Sequence, residues 1–413
     1  MQLKRLAVLA GLILAGGIRP AAAQEAVGPG NRITDLAPTV ILISIDGFRH
    51  DYLDRAAAPN LQRLARNGVR AHGMIPAFPS KTFPNHYTLV TGLYPEHHGI
   101  VSNTMLDPEG KARFRISDRA AVEDSRWWGG EPLWVTAQKQ GQLTATYFWV
   151  GSEAEILGTR PAYWKRYAHN TPNRARVAQV LAWLDLPKPQ RPTLITLYFS
   201  TVDEAGHEFG PDSPEVMQAV AAIDTVIGTL LEGLAARDIF QQVNLIIVSD
   251  HGMAATSAGR VIHLDDYLDL QQVDVIDWTP VLALLPRPGE EEAVYQKLKG
   301  AHPHLQVYRK AEVPERFHFR GHRRIMPIIG LADEGWTIST RGRNRRPRGG
   351  DHGYDNLLPS MRATFIAHGP AFKSQLQVAP FQNIHVYNLA CEILHLVPAP
   401  NDGSLDSVRT MLK

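Results

Sequence analysis

Seven small polar side chains, far apart in the chain, have the types that a hydrolytic metal site needs. Asp46 follows the apolar run TVILISI (39–45), and Thr82 lies in PSKTFPNHYTL (79–89). Asp203 and His207 follow TLITLYF (193–199), Asp250 and His251 end NLIIVSDHG, and His352 lies in GGDHGYDN. Three aspartates, three histidines and one hydroxyl make a ligand set for two divalent ions with a nucleophile lodged between them. The reaction class is hydrolysis at phosphorus or sulfur. A threonine hydroxyl is a poor nucleophile at neutral pH, and metal coordination lowers its pKa. Each piece alone is weak: Asp-Gly after a strand is ordinarily a turn, and D-x-x-x-H is common. Their joint occurrence, each beside an apolar run, carries the specificity.

Something must bring these residues together. The runs 39–45, 193–199, 243–248 and 363–367 are short, β-branched and unalternating, which suits central strands of a parallel sheet buried on both faces. Helical patterns fall between them at 59–68, 172–185 and 213–236, with Gly68 as a stop, Ser213 as a cap and Pro214 at the first helical position. The expected fold is a wound α/β sheet. Ligands of such sheets collect beyond the carboxyl ends of the strands, where Asp46, Asp203 and Asp250 all fall. Asp203 and His207, four apart, share one side of a helical turn. Segments 279–286, 289–299 and 304–309 read as strand, helix and strand, with further strand-like pieces at 323–331 and 335–340.

The chain has 413 residues, 44% of them hydrophobic. Lys4 and Arg5 precede an apolar stretch at 6–18, and Ala21-Ala22-Ala23 offers a cleavage site before Gln24, so residues 1–23 read as a secretory signal peptide. The product is then exported, periplasmic or secreted, with no membrane span after cleavage. Losing Lys4, Arg5 and Arg19 takes the formal net charge from +2 to −1, which gives no support for a nucleic-acid binder. The one cysteine, Cys391, excludes an internal disulfide and lies in an apolar helical context, where it reads as a buried packing residue.

The motifs SIDGFRHDY (44–52), PSKTFPNHYTLVTGLYPEHHGIVSN (79–103), VDEAGHEFGP (202–211), VSDHGM (248–253) and GDHGYDN (350–356) resemble the nucleotide pyrophosphatase/phosphodiesterase family of the alkaline phosphatase superfamily. That resemblance covers nearly the whole chain beyond residue 23 and is vaguest over 268–346. It implies an alkaline-phosphatase-like, mostly parallel sheet flanked by helices. A single catalytic domain over 24–413 is expected, and the strand, helix and strand patterns noted above read as a small α+β insertion in it at about 268–346. Two zinc ions are implied, one held by Asp203, His207 and His352, the other by Asp46, Asp250 and His251 with the Thr82 oxygen close by. Thr82 would attack phosphorus and form a phospho-threonine ester. Asn103 would donate to a non-bridging oxygen together with the Thr82 backbone N–H. Phe83 and Tyr198 match an aromatic slot for a nucleobase.

WVGSEA (149–154) is similar to a family W-P-G-S segment, with Val150 where proline is usual. Trp149, Tyr163, Trp164 and Tyr167 either border the pocket or pack beneath it. His86, His97 and His98 read as structural or as partners near the site. The arginine-rich run at 341–350 reads as a solvated loop or as a guide for anionic substrate. The implied activity is hydrolysis of nucleotide phosphodiester and pyrophosphate bonds to a nucleoside 5′-monophosphate. A lipid-headgroup (phosphocholine) phosphodiesterase or a phosphate monoesterase of the same superfamily stays open as the alternative.

Overall fold

A computed structural model describes residues 30–342 and 349–413. The expected signal peptide and Arg343, Arg345, Arg346 and Arg348 of the arginine run lie outside the described residues. The chain forms strands β1 (Thr39–Ile45), β2 (Val69–Ala71), β3 (Thr144–Tyr147), β4 (Tyr163–Lys165), β5 (Leu194–Phe199) and β6 (Val243–Val248). Between Asp250-His251 and His352 come the strands of a second sheet, β7 (Val273–Asp277), β8 (Val281–Pro286), β9 (Leu305–Arg309) and β10 (Ile328–Ala332), with shorter two-stranded ladders beside them. β11 (Phe365–His368) and β12 (Leu376–Val378) return to the main sheet. The helices that matter here are α1 (Pro59–Asn67), α2 (Thr82–Thr91), α3 (Asn173–Leu184), α4 (Thr201–Phe209), α5 (Pro214–Ala236), α6 (Glu291–Leu298) and α7 (Val386–Ile393).

Among the described residues the main sheet has eight strands in the order β12-β2-β11-β6-β1-β5-β3-β4. β1 lies between β5 and β6 and runs parallel to both. Every residue of β1, β5 and β6 is buried because both faces are covered. Val40 and Leu42 face one core with α2 and α7, while Ile41, Ile43 and Ile45 face the other with α1, α3 and α5. The unalternating apolar run thus conceals an alternation between two equally dry faces. β11 departs from expectation, because it runs antiparallel to both β6 and β2. The chain re-enters the sheet where β6 ends, with Ser249 N–H donating to Thr364 O at 3.0 Å, and no crossover helix reverses it.

Helix α5 begins as its sequence dictates: Ser213 Oγ accepts from Val216 N at 3.2 Å, with Pro214 at the first helical position. By length and composition this helix resembles a membrane span. Its Val216, Val220, Ile223, Ile227, Leu230 and Leu234 are all buried, a 3.6-period stripe in the core shared with α1 and α3. Strands β7–β10 form their own antiparallel sheet in the order β7-β8-β10-β9. It shares a separate core with α6, including Leu282, Leu284, Val294 and Leu298. The expected strand near 335–340 is Thr337–Ser339, which pairs instead with Val261–His263.

Candidate metal centre

The carboxyl ends of β1, β5 and β6 are adjacent, and the chain places an acid just beyond each. Asp46 directly follows β1. Gly47 behind it has φ +67°, and a Cβ there would lie 2.8 Å from Asp203 Cα, so glycine is what lets the two acids approach. Asp203 and His207 lie on α4, immediately after β5. Asp250 and His251 follow β6 by one residue. His352 arrives from a two-rung antiparallel ladder, Ala254–Ala255 against Gly350–Asp351. The glycines before it press on α4: a Cβ at Gly349 would stand 2.1 Å from His207 O.

Two groups of side chains result: Asp203 with His207 and His352, and Asp46 with Asp250 and His251. In the first, His207 Nε2 is 3.5 Å from Asp203 Oδ1, His352 Nε2 is 3.8 Å from the same oxygen, and the two nitrogens are 3.1 Å apart. In the second, His251 Nε2 is 3.4 Å from Asp46 Oδ1 and 3.0 Å from Asp250 Oδ2. Donor atoms about 2.0–2.1 Å from a tetrahedral ion stand about 3.3 Å from one another, so both groups have the spacing of a coordination shell.

Hydrogen bonding agrees. Each imidazole donates its Nδ1–H to a carbonyl: His207 to Gly350 O (3.0 Å), His251 to Gly252 O (2.8 Å) and His352 to Ser80 O (2.9 Å). A carbonyl only accepts, so every Nε2 presents its lone pair to the site. Asp46 Oδ1, Asp203 Oδ1 and Asp250 Oδ2 are buried with no hydrogen bond among the described residues. Their partner oxygens are differently occupied: Asp46 Oδ2 accepts from Tyr198 Oη at 2.7 Å, and Asp250 Oδ1 from Gly47 N and Ser249 Oγ, each at 3.3 Å. Three buried carboxylate oxygens without a hydrogen bond, facing the imidazole nitrogens, are a costly arrangement unless cations lie between them.

Protonation follows the same logic. Burial, then the charges of Asp250 and Asp203, push the Asp46 carboxyl well above the usual range. Burial likewise raises Asp203. Burial also opposes ionisation of Asp250, but His251 and His86 override it and hold that carboxyl low. Burial, with His251 and His207 nearby, keeps His352 neutral. For His251 the same burial effect is outweighed by Asp250, and its pKa rises.

Thr82 is the first residue of α2, and its Oγ1 lies 3.3 Å from His251 Nε2. It therefore sits beside the Asp46 group and at the positive end of a helix. Asn103 Oδ1 accepts from Phe83 N at 2.9 Å, which fixes the amide and leaves its NH2 out of that bond. Sequence reasoning missed Asn85, which is fully buried and donates to Pro79 O and Lys81 O, both at 2.9 Å, thereby clamping the turn that carries Thr82. The cue was its place inside the long motif. His86 lies below the site, donating Nδ1–H to Thr82 O (2.9 Å) and accepting from Ser44 Oγ at Nε2 (2.7 Å).

Tyr198 needs correction. It is only 8% exposed, its hydroxyl is committed to Asp46, and its ring lies edge-on between His86 and Tyr167. No ring face is left for a base, because the end of this central strand points its tyrosine at the Asp46 carboxylate. Phe83, by contrast, is half-exposed and rests on Phe114 and Trp128. Tyr167 is the half-exposed aromatic over Tyr198. Trp149 is buried and donates to His86 O, and Arg166 pairs with Glu123. His97 pairs with Asp402, and His98 is buried against Thr88. Of the arginine run, Arg341 pairs with Asp266.

A mostly parallel sheet with Asp/His clusters at its carboxyl edge defines an alkaline-phosphatase-like α/β protein. The family model for type I phosphodiesterase / nucleotide pyrophosphatase matches residues 40–355, and the chain belongs to that family. It is 41% identical over 389 residues to a venom phosphodiesterase of Naja atra, covering 91% of this chain and 46% of the relative. It is 43% identical over 384 residues to an uncharacterized pyrophosphatase/phosphodiesterase of Schizosaccharomyces pombe, covering 89% and 79%. The chain thus spans about half the length of the venom relative but most of the yeast one. Murine ectonucleotide pyrophosphatase/phosphodiesterase 5 superposes with a TM-score of 0.88 at 39% identity, covering 91% of this chain and 100% of that one. An inactive threonine-to-alanine variant of the murine protein, solved in complex with AMP, superposes equally well at 38% identity.

Proposed function

We propose that this chain is a two-zinc phosphodiesterase and nucleotide pyrophosphatase that releases nucleoside 5′-monophosphates through a phospho-threonine intermediate. One observation carries the reading: two Asp/His groups with coordination spacing, and the Thr82 hydroxyl at a helix N-terminus beside one of them. Asp203, His207 and His352 would hold one ion, and Asp46, Asp250 and His251 the other. Zinc at these places would supply the positive charge that acidifies a hydroxyl and neutralises a departing oxygen.

The chain's own residues do the rest. Thr82 Oγ1 attacks phosphorus in line as its proton passes to water, while the bond to the leaving oxygen breaks and that oxygen takes up a proton from water. The Thr82 backbone N–H, at the start of α2, and the Asn103 NH2 receive the charge on the non-bridging oxygens. Water then cleaves the phospho-threonine ester and regenerates the hydroxyl, with net retention at phosphorus after two inversions. The aromatic slot passes to Phe83 and Tyr167, the half-exposed rings beside Thr82 and above Tyr198. The AMP-bound, threonine-substituted relative supports both a nucleotide substrate and the role of the hydroxyl. Residues 24–413 act as one catalytic domain with the insertion at about 268–346. The leader-like N-terminus and the venom relatives support export, to the periplasm or beyond.

The test compares kcat/KM on zinc-loaded protein for a nucleotide diester, a phosphocholine diester and an aryl monoester. The nucleotide diester is expected to lead, and a strong monoester preference would overturn the assignment. Thr82→Ala should keep both ions and lose turnover; near-full activity in that variant would remove the covalent step.

A further inference from the structure

The inserted sheet reaches the segments that carry Thr82 and Asn103 through a carboxylate. Asp277, the last residue of β7, accepts at Oδ2 from Lys81 Nζ (2.6 Å) and from Ser102 Oγ in a short hydrogen bond. Lys81 immediately precedes Thr82, and Ser102 immediately precedes Asn103. On the far side, Phe83 N–H donates to Asn103 Oδ1 at 2.9 Å. The result is a closed ring: from Asp277 through Lys81, Thr82 and Phe83, across to Asn103, and back through Ser102.

We propose that Asp277 is a positioning residue that sets the separation of Thr82 from Asn103, and with it the alignment of attack and oxyanion contact. The inference rests on the roles given to those two residues above. Three features make the tether stiff. Lys81 and Asp277 are well shielded, with side chains 7% and 16% exposed, so water competes little for their bond. Asp277 Oδ1 is itself held by Trp278 N–H at 2.9 Å, which fixes the carboxylate's direction. Gly353 packs against Lys81 on one side, where a Cβ would lie 3.1 Å from Lys81 Cε. The insertion, which lies in sequence between Asp250-His251 and His352, thereby gains a part in the chemistry without touching substrate.

The experiment is a double-mutant cycle of Asp277→Ala and Asn103→Ala on the zinc-loaded chain, read as kcat and KM for a nucleotide diester, with zinc content and amide exchange at Phe83 measured in parallel. Misplacement by about 1 Å costs on the order of 100-fold. Asp277→Ala is therefore expected to lower kcat about 10- to 100-fold, with KM within about twofold and zinc content unchanged. Asp277→Asn should fall between, since an amide still accepts from Ser102 but offers Lys81 no charge. The Asp277→Ala effect should largely vanish in the Asn103→Ala background, and Phe83 N–H should lose protection. Fully additive effects, or kcat and Phe83 exchange unchanged in Asp277→Ala, would overturn the proposal. If Asp277→Ala fails to fold, Asp277→Asn enters the same cycle. A wild-type chain inactive on diesters would refute the proposed function, and Phe83 exchange would still decide the tether.

Discussion

Replacing Tyr198 by phenylalanine removes its hydroxyl and leaves the buried ring in place. The hydroxyl donates to Asp46 Oδ2 at 2.7 Å in a site where both groups are buried. A hydrogen bond to a charged group contributes about 1.5–3 kcal/mol, and about 1.4 kcal/mol is a factor of ten. Losing it leaves Asp46 less ordered and one oxygen unsatisfied. Removing such a supporting partner typically lowers metal affinity about 10- to 100-fold, which matches that energy. Competition with a chelator of known affinity should show this loss at the Asp46, Asp250 and His251 site and little change at the other. KM for a nucleotide diester should stay within about twofold, because the buried Tyr198 ring offers no face to a base. Unchanged zinc affinity in Tyr198→Phe would refute the reasoning.

Burial, with the neighbouring acids, holds Asp46 above the ordinary carboxylate range, and burial raises Asp203, so in the metal-free fold a cation must displace their protons. Their contribution to metal-free stability is lost as pH rises through those raised values, whereas Asp250, held low by His251 and His86, stays ionised. The gap in Tm between zinc-loaded and zinc-free protein should therefore widen with rising pH and close in acid; the opposite slope would contradict the assignment. Phe83→Ala and Tyr167→Ala should each raise KM for a nucleotide diester, by the equivalent of about 1–3 kcal/mol of base stacking, and leave a base-free diester nearly unaffected. Ser213→Ala removes the cap of α5 and should cost about 1 kcal/mol, visible as a lowered Tm with unchanged kcat.

The strands and the convergence of the Asp and His side chains were legible because each rests on a local signal. β1, β5 and β6 are unbroken apolar runs, and an acid lies just past each. The six Asp and His side chains chosen from sequence come together in space as two groups. What supports them was not legible. Tyr198 and Asp46 are 152 residues apart, Lys81 and Asp277 are 196 apart, and no local pattern reveals which partner a buried hydroxyl or carboxylate will meet. Tyr198 shows the failure clearly: LYF announces a buried strand and an aromatic at the site, but not that the hydroxyl faces a ligand. The direction of β11 was equally hidden. Its apolar run is like that of β6, and only the route of the chain from His352 back to the end of β6 makes it antiparallel.

The most direct measurement is metal content by mass spectrometry of the zinc-loaded chain and of Asp203→Asn and Asp250→Asn. Two ions per chain are expected in the unaltered protein, falling to one in each variant, because the two Asp/His groups share no side chain. One ion or none in the unaltered chain, or a single substitution that releases both, would contradict the two-site centre on which the chemistry depends.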